Sequence, residues 1–250
     1  MLTFAAIVPH SLDLLRTPKK APATIDALEK LHASCKEAKP DVIITISPHG
    51  SILEKSFAIN LAQEYELDLL ELGVKTPKRS FKNDPLTTIA IRKARLTNAE
   101  APVTLVSTPK LDYGAAIPLS FLCKDNTCTI IPVSPSTHDL PSHLAMGDTI
   151  KEEIMASTKR FAVIASATLG HGNDGKAFDD SIIAALTSDA ETQKLFSITD
   201  DTLKKFDMCG LRPICILMGV LQGLPWTYKQ LSYENAFDTG LLVAEFPLKT

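Results

Sequence analysis

His10, His49 and His171 stand at the ends of three strand-like apolar runs: Phe4-Ala5-Ala6-Ile7-Val8-Pro9-His10, Val42-Ile43-Ile44-Thr45-Ile46-Ser47-Pro48-His49, and Ala162-Val163-Ile164-Ala165-Ser166 continuing to Gly170-His171. They are half of the six histidines in this 250-residue chain. Neutral imidazole is the commonest protein ligand for zinc, iron and copper, and it also carries protons near neutral pH. In an open α/β sheet, ligands bind in the crevice beyond the carboxyl ends of the strands, so three strand-end histidines predict one shared site. His10 and His49 each follow a proline, whose ring fixes φ and stiffens the position, and Gly50 permits close approach behind His49. A metal site is the economical reading of that pair. His171 lies in Ser166-Ala167-Thr168-Leu169-Gly170-His171-Gly172-Asn173, where small residues leave room for a third ligand or a general acid/base.

An acidic or sulfur ligand has two candidates late in the chain: Glu234, in Leu231-Ser232-Tyr233-Glu234-Asn235, and Cys209, in Asp207-Met208-Cys209-Gly210-Leu211-Arg212-Pro213. Two imidazoles and a carboxylate with open positions suit non-haem Fe(II) and oxygen chemistry, whereas a thiolate leans toward zinc or copper. Residue types alone leave both open. Asp112-Tyr113-Gly114 offers a phenol to the same crevice, as a proton donor or a hold on a substrate oxygen, although turn chemistry also accounts for Asp and Gly there. His32 falls in a helix, and His138 and His143 flank a helix start, where surface or capping roles are expected. No GxGxxG, P-loop, GxSxG elbow or HExxH is present.

The elements that must hold these residues alternate. Strands are predicted near 3–8, 42–47, 56–61, 103–107, 128–133, 161–167 and 241–246. Helices are predicted from Thr24, read as the N-cap, to Ala38, from Asp84-Pro85 onward, at 115–123, at 140–157, at Asp179 to Leu186, at Glu191 to Phe196, at Thr202 to Phe206 and from Gly210 to about Leu221. Lys39-Pro40-Asp41 breaks the first long helix and launches the second strand, which makes a βαβ unit with a right-handed crossover. Such alternation predicts a single three-layer α/β/α sandwich around a largely parallel or mixed central sheet, with residues 1–250 as one domain.

Composition sets the outer limits. Hydrophobic residues make up 45% and charged residues 22% of the chain, ordinary for a globular protein. A net charge of -3 gives no electrostatic case for nucleic acid. Five cysteines without a CxxC pair suggest neither a disulfide framework nor a zinc ribbon, so reduced thiols and a cytoplasmic location are expected. The amino terminus lacks a charged n-region and reaches Pro9 and His10 too soon for a secretory signal, and no apolar run reaches membrane-spanning length.

In order and spacing, these segments resemble the superfamily formed by the B-type subunits of class III extradiol ring-cleavage dioxygenases. That superfamily includes the protocatechuate 4,5-dioxygenase β-subunit and the Memo-like (AmmeMemoRadiSam system protein B) group. The resemblance spans nearly the whole chain, through Ala5 to His10, Lys39 to Gly50, Leu111 to Leu119, Val163 to His171, Cys209 to Ile214 and Tyr233-Glu234 to Ala244. It implies a mononuclear Fe(II), with zinc or copper as alternatives, that binds a catechol-like substrate and O2 for ring cleavage. By position it makes His10 and His49 metal ligands, Glu234 the third ligand with Cys209 as its alternative, His171 the acid/base and Tyr113 a substrate-side residue. It also implies a homo-oligomer or a small companion subunit, and a Memo-like protein without ring cleavage is the alternative function. Two positions depart from the pattern: Tyr113-Gly114 stands where relatives carry His-Gly, and Thr168-Leu169-Gly170-His171 stands where they carry Asp-Leu-Ser-His. The second departure removes an acid able to orient the histidine.

Overall fold

The structure is a computed structural model that describes residues 1–96, 101–125, 127–172 and 175–249. Its elements run β1 (Leu2–Val8), α1 (Asp13–Arg16), α2 (Pro22–Ala38), β2 (Val42–Ile46), β3 (Phe57–Asn60), β4 (Glu64–Leu67), β5 (Arg79–Lys82), α3 (Pro85–Ala94), β6 (Val103–Val106) and α4 (Tyr113–Leu122). They continue with β7 (Thr129–Ser134), α5 (Leu140–Ala156), β8 (Phe161–Ser166), α6 (Gly175–Ala185), α7 (Asp189–Thr192), α8 (Asp200–Lys205), α9 (Leu211–Leu221), β9 (Lys229–Ala236) and β10 (Thr239–Glu245).

Eight strands form one sheet in the order β6-β3-β7-β2-β8-β1-β10-β9, and β4 pairs with β5 in a separate hairpin. The four central strands are mutually parallel, β7 to β2, β2 to β8 and β8 to β1, whereas β10 and β9 add antiparallel pairs at one side. The sheet is therefore mixed. Strands buried on both faces read as continuous apolar runs, which is why β1, β2 and β8 stand out in the sequence. Their alternate residues serve different layers. Ala5 and Ile7, Ile44 and Ile46, and Val163 and Ala165 pack with α5 and α9, through Met146, Ile150, Ile214 and Leu217. Phe4 and Ala6, Ile43, and Ala162 and Ile164 face α2 and α4, through Leu28, Leu31, Ala116 and Leu119. A fully buried Leu or Ile side chain contributes about 1.5–3 kcal/mol relative to an exposed one, so the two apolar faces fix the register that the site inherits.

Local chemistry sets the helix ends. Asp84, Asp112 and Asp139 cap α3, α4 and α5 by accepting from Thr87, Ala115 and Ser142 backbone amides. Lys39, at φ 46°, closes α2 in the left-handed region, and Pro40 then bars its continuation. Three details differ from the sequence reading. Helix α2 opens at Pro22, so Thr24 is inside the first turn instead of being its N-cap. Asp179 is in the body of α6 and wholly buried, not at a helix start. The hairpin β4–β5 and the strand β9 have no counterpart among the predicted elements: β9 is a sheet edge that keeps polar residues half exposed, and it lacks the apolar run that marks the central strands.

Candidate metal centre

Strand order builds the site. Because β8 lies between β1 and β2, the residues that follow all three emerge side by side at their carboxyl ends. His10 follows β1, His49 follows β2, and Thr168 follows β8. The two imidazoles meet over that edge, with His49 Nε2 3.0 Å from His10 Nε2. Cys209, from the turn before α9, completes the group with Sγ 3.3 Å from His10 Nε2. The three donor atoms lie within 4.8 Å of one another, the one such trio among the described residues. His10 is only 4% exposed.

The orientation of His10 traces back to a proline in a helix. Pro118 sits inside α4 and has no backbone N–H, so the carbonyl of Gly114, four residues earlier, loses its intrahelical partner. Ser166, the final residue of β8, donates its hydroxyl hydrogen to that carbonyl at 2.5 Å. A hydroxyl has one hydrogen, so the 2.9 Å contact between Ser166 Oγ and His10 Nδ1 must be donated by the imidazole. His10 therefore carries its proton on Nδ1 and turns a bare Nε2 toward His49 and Cys209, the form a metal requires. Burial, then the neighbouring His49 and His171, push its pKa down to about 3, which keeps the ring neutral. Burial also lowers the His49 pKa, against the opposing pull of Asp112 and Asp207.

Cys209 reaches His10 because the next residue is glycine. A Cβ on Gly210 would collide with the Thr168 carbonyl and Ala167. The Thr168 hydroxyl lies 3.2 Å from Cys209 Sγ and 3.5 Å from His10 Nε2, bridging thiol and imidazole. Burial raises the thiol pKa despite the Thr168 contact, so a bound cation would have to displace its proton.

Tyr113, the first residue of α4, stacks on His49 with ring centroids 4.3 Å apart. Burial, assisted by Cys209, Asp112 and Asp207, pushes its pKa up to about 12, so the phenol keeps its proton. His10, His49, Tyr113, Thr168, His171 and Cys209 line one cavity of about 360 Å³. Asp13, Arg16 and Asp207 line it too. Sequence reasoning misses these three; Asp207, two residues before Cys209, is the nearest signal.

Glu234 is elsewhere. It lies on β9, and its Oε2 accepts from the Thr24 amide and the Thr24 hydroxyl, each at 2.7 Å. The carboxylate caps the first turn of α2, where backbone amides and the helix dipole favour a negative charge. The structure places Glu234, the expected third ligand, at a helix end with its Oε2 bonded to Thr24, and sets a thiol beside the two imidazoles.

The donor set fits a metal ion. Bonds of about 2.0–2.3 Å to a tetrahedral ion place its donors roughly 3.3–3.8 Å apart, close to the spacings of His10 with His49 and Cys209. Fold and site together define an α/β protein with a candidate metal centre at the carboxyl edge of its sheet. The family described as the catalytic LigB subunit of aromatic ring-opening dioxygenase matches residues 5–244. The chain therefore belongs to the LigB family.

Individual relatives are distant. The chain is 25% identical over 243 residues to Protein CA_C1420 of Clostridium acetobutylicum, covering 89% of this chain and 51% of that protein. It is 24% identical over 183 residues to 3,4-dihydroxyphenylacetate 2,3-dioxygenase of Escherichia coli, covering 68% of this chain and 66% of that protein. It thus spans about half the length of the first and about two thirds of the second. Among solved structures, the uncharacterized protein JW3007 from Escherichia coli K12 shares the fold, with a TM-score of 0.69 and 13% identity, over 97% of this chain and 99% of that one. No helix among the described residues is long and apolar enough to cross a membrane.

Proposed function

We propose that the chain is a metal-dependent dioxygenase of the extradiol kind, with one metal ion held by His10, His49 and Cys209 and a catechol-like ring bound in the adjoining cavity. The observation that carries this reading is the convergence of two neutral imidazoles and a thiol on one point of a family member's sheet edge. The ion, Fe(II) by family and zinc or copper by its sulfur ligand, would supply Lewis acidity and, if redox-active, a path for electrons between ring and O2.

The chain's own residues would do the rest. The Ser166 contact holds the His10 lone pair on the site. Tyr113 keeps a protonated phenol beside His49, where it donates to a substrate oxygen. His171, on the wall of the same cavity, takes the proton that a catechol hydroxyl must lose and returns it to the opened product.

A second reading is favoured by one observation, the thiol in place of a carboxylate: a Memo-like metal protein without ring cleavage. Anaerobic loading with Fe(II), Zn(II) or Cu(I), followed by metal analysis and oxygen-electrode assays with a panel of catechols, tests both. The dioxygenase reading expects about one metal per chain, lost in Cys209→Ser and kept in Glu234→Gln, and catechol-dependent oxygen uptake. Metal binding through Cys209 with no oxygen uptake transfers the assignment to the Memo-like reading. No metal binding at all removes both.

A further inference from the structure

The sequence lacks an acid two or three residues before His171, yet the fold supplies one from another element. Asp179, on α6, is wholly buried. Its Oδ1 accepts from the Gly170 amide at 2.7 Å, and its Oδ2 accepts from the Tyr233 hydroxyl at 2.8 Å. Two glycines make room for it: a Cβ on Gly240 would run into Oδ2, and one on Gly170 would crowd Oδ1. The same short segment is stitched down on its other sides. Leu169 donates to Gly240, Gly240 donates to Gly170, and the His171 amide donates to the Phe206 carbonyl at 2.8 Å.

A buried carboxylate is costly unless its charge has a use or a partner. Burial raises the Asp179 pKa, opposed by the Gly170 and Tyr233 hydrogen bonds, and among charged groups Asp180 repels the carboxylate while His171 attracts it. His171, for its part, has a buried Nδ1 with no hydrogen-bond partner among the described residues. His171 shares the cavity wall with His10, Asp13, Arg16, Asp207 and Cys209, whereas Asp179 is not among the residues that line it.

We propose that Asp179 is the positioning residue for His171: its carboxylate fixes the Gly170 amide, and with it the direction of the imidazole, and sets a buried negative charge behind the ring. Tyr233, by donating to Oδ2, keeps that charge in place. The sheet edge thus replaces, from α6 and β9, the acid that Thr168 displaces in the local sequence. The proposal rests on His171 being the proton carrier.

The test is an NMR titration of the six imidazoles in the full chain, with the His171 signal assigned through His171→Gln. Asp179→Asn keeps the shape and the Gly170 bond but removes the charge, so the His171 signal should titrate at lower pH than in the unaltered chain, while metal content stays unchanged. Tyr233→Phe, which leaves the Gly170 bond intact, should shift it the same way by less, and it serves if Asp179→Asn does not fold. With an active catechol from the panel, Asp179→Asn should lower kcat and leave KM within about twofold. An unmoved His171 titration in the folded variants overturns the proposal. If His171→Gln retains full oxygen uptake, the proton-carrier role fails instead, whatever Asp179 does.

Discussion

Each end of the central sheet holds histidine and cysteine side by side, and among the described residues only one end brings three such donors together. At the carboxyl end, His10, His49 and Cys209 converge on one point. At the amino end, a cavity of about 290 Å³ is lined by His32, Cys35, Cys123 and Cys128. His32 even has the same tautomer as His10, because its Nδ1 donates to the Leu122 carbonyl at 2.9 Å. There, however, the sulfurs of Cys123 and Cys128 face each other at 3.0 Å, and burial pushes the Cys35 thiol up to about 12. His32 and Cys35, three residues apart on α2, share a helix face, yet the one trio of donor atoms that meets among the described residues is at the carboxyl end. Residue type is common to both ends; convergence from independent elements is not.

The largest effect should follow from removing that convergence. His10→Ala or His49→Ala is expected to bring bound metal from about one per chain to background after anaerobic loading, whereas Cys35→Ser and Cys128→Ser leave it unchanged. Metal retained by His49→Ala, or lost by Cys128→Ser, breaks the contrast.

A third histidine sharpens it. His143 is buried with both nitrogens occupied: Nε2 accepts from the Ser136 amide, and Nδ1 donates to the Asp139 carbonyl. Burial lowers its pKa to about 4, so below the unfolded value near 6.5 the unfolded chain binds the extra proton and the fold loses stability. That stability is complete above pH 6.5 and disappears as pH falls through 4, a difference of roughly 3 kcal/mol. His143→Gln, which can keep both hydrogen bonds without titrating, should make the urea-midpoint profile less steep across this window, the remaining slope belonging in part to His10; parallel profiles count against it.

Ser166→Ala should weaken metal affinity by about 10–100-fold in chelator competition, since it frees the His10 tautomer without touching a ligand. Glu234→Gln should cost about 1 kcal/mol of stability through the α2 cap and leave affinity where it was. A shift in metal affinity there would restore the carboxylate to the centre.

What can be read from sequence divides along the same physical line. β1, β2 and β8 are two-sided buried strands, so their apolar runs and the histidines after them are legible without coordinates. The three-layer architecture follows from alternation. By contrast, the choice between Glu234 and Cys209 depends on where the β9–β10 hairpin places its outward residues, and no local pattern encodes that register. His143 reads as a surface residue because a helix start looks polar; its burial comes from packing against Phe57, far away in the chain. Asp179 is hidden for the same reason, since its partners lie on a loop and a strand outside its own helix.

The place of β1 has a consequence for synthesis. β1 pairs with β8, which starts at Phe161, and with β10, which starts at Thr239. A ribosome that has released only the first hundred or so residues has made His10 and His49 but neither neighbour that seats β1. The two histidines then follow two strands, β1 and β2, whose sheet neighbours are still unmade. On the proposed metal reading, selectivity for one ion waits for Ser166 and Cys209, which follow both histidines in the chain.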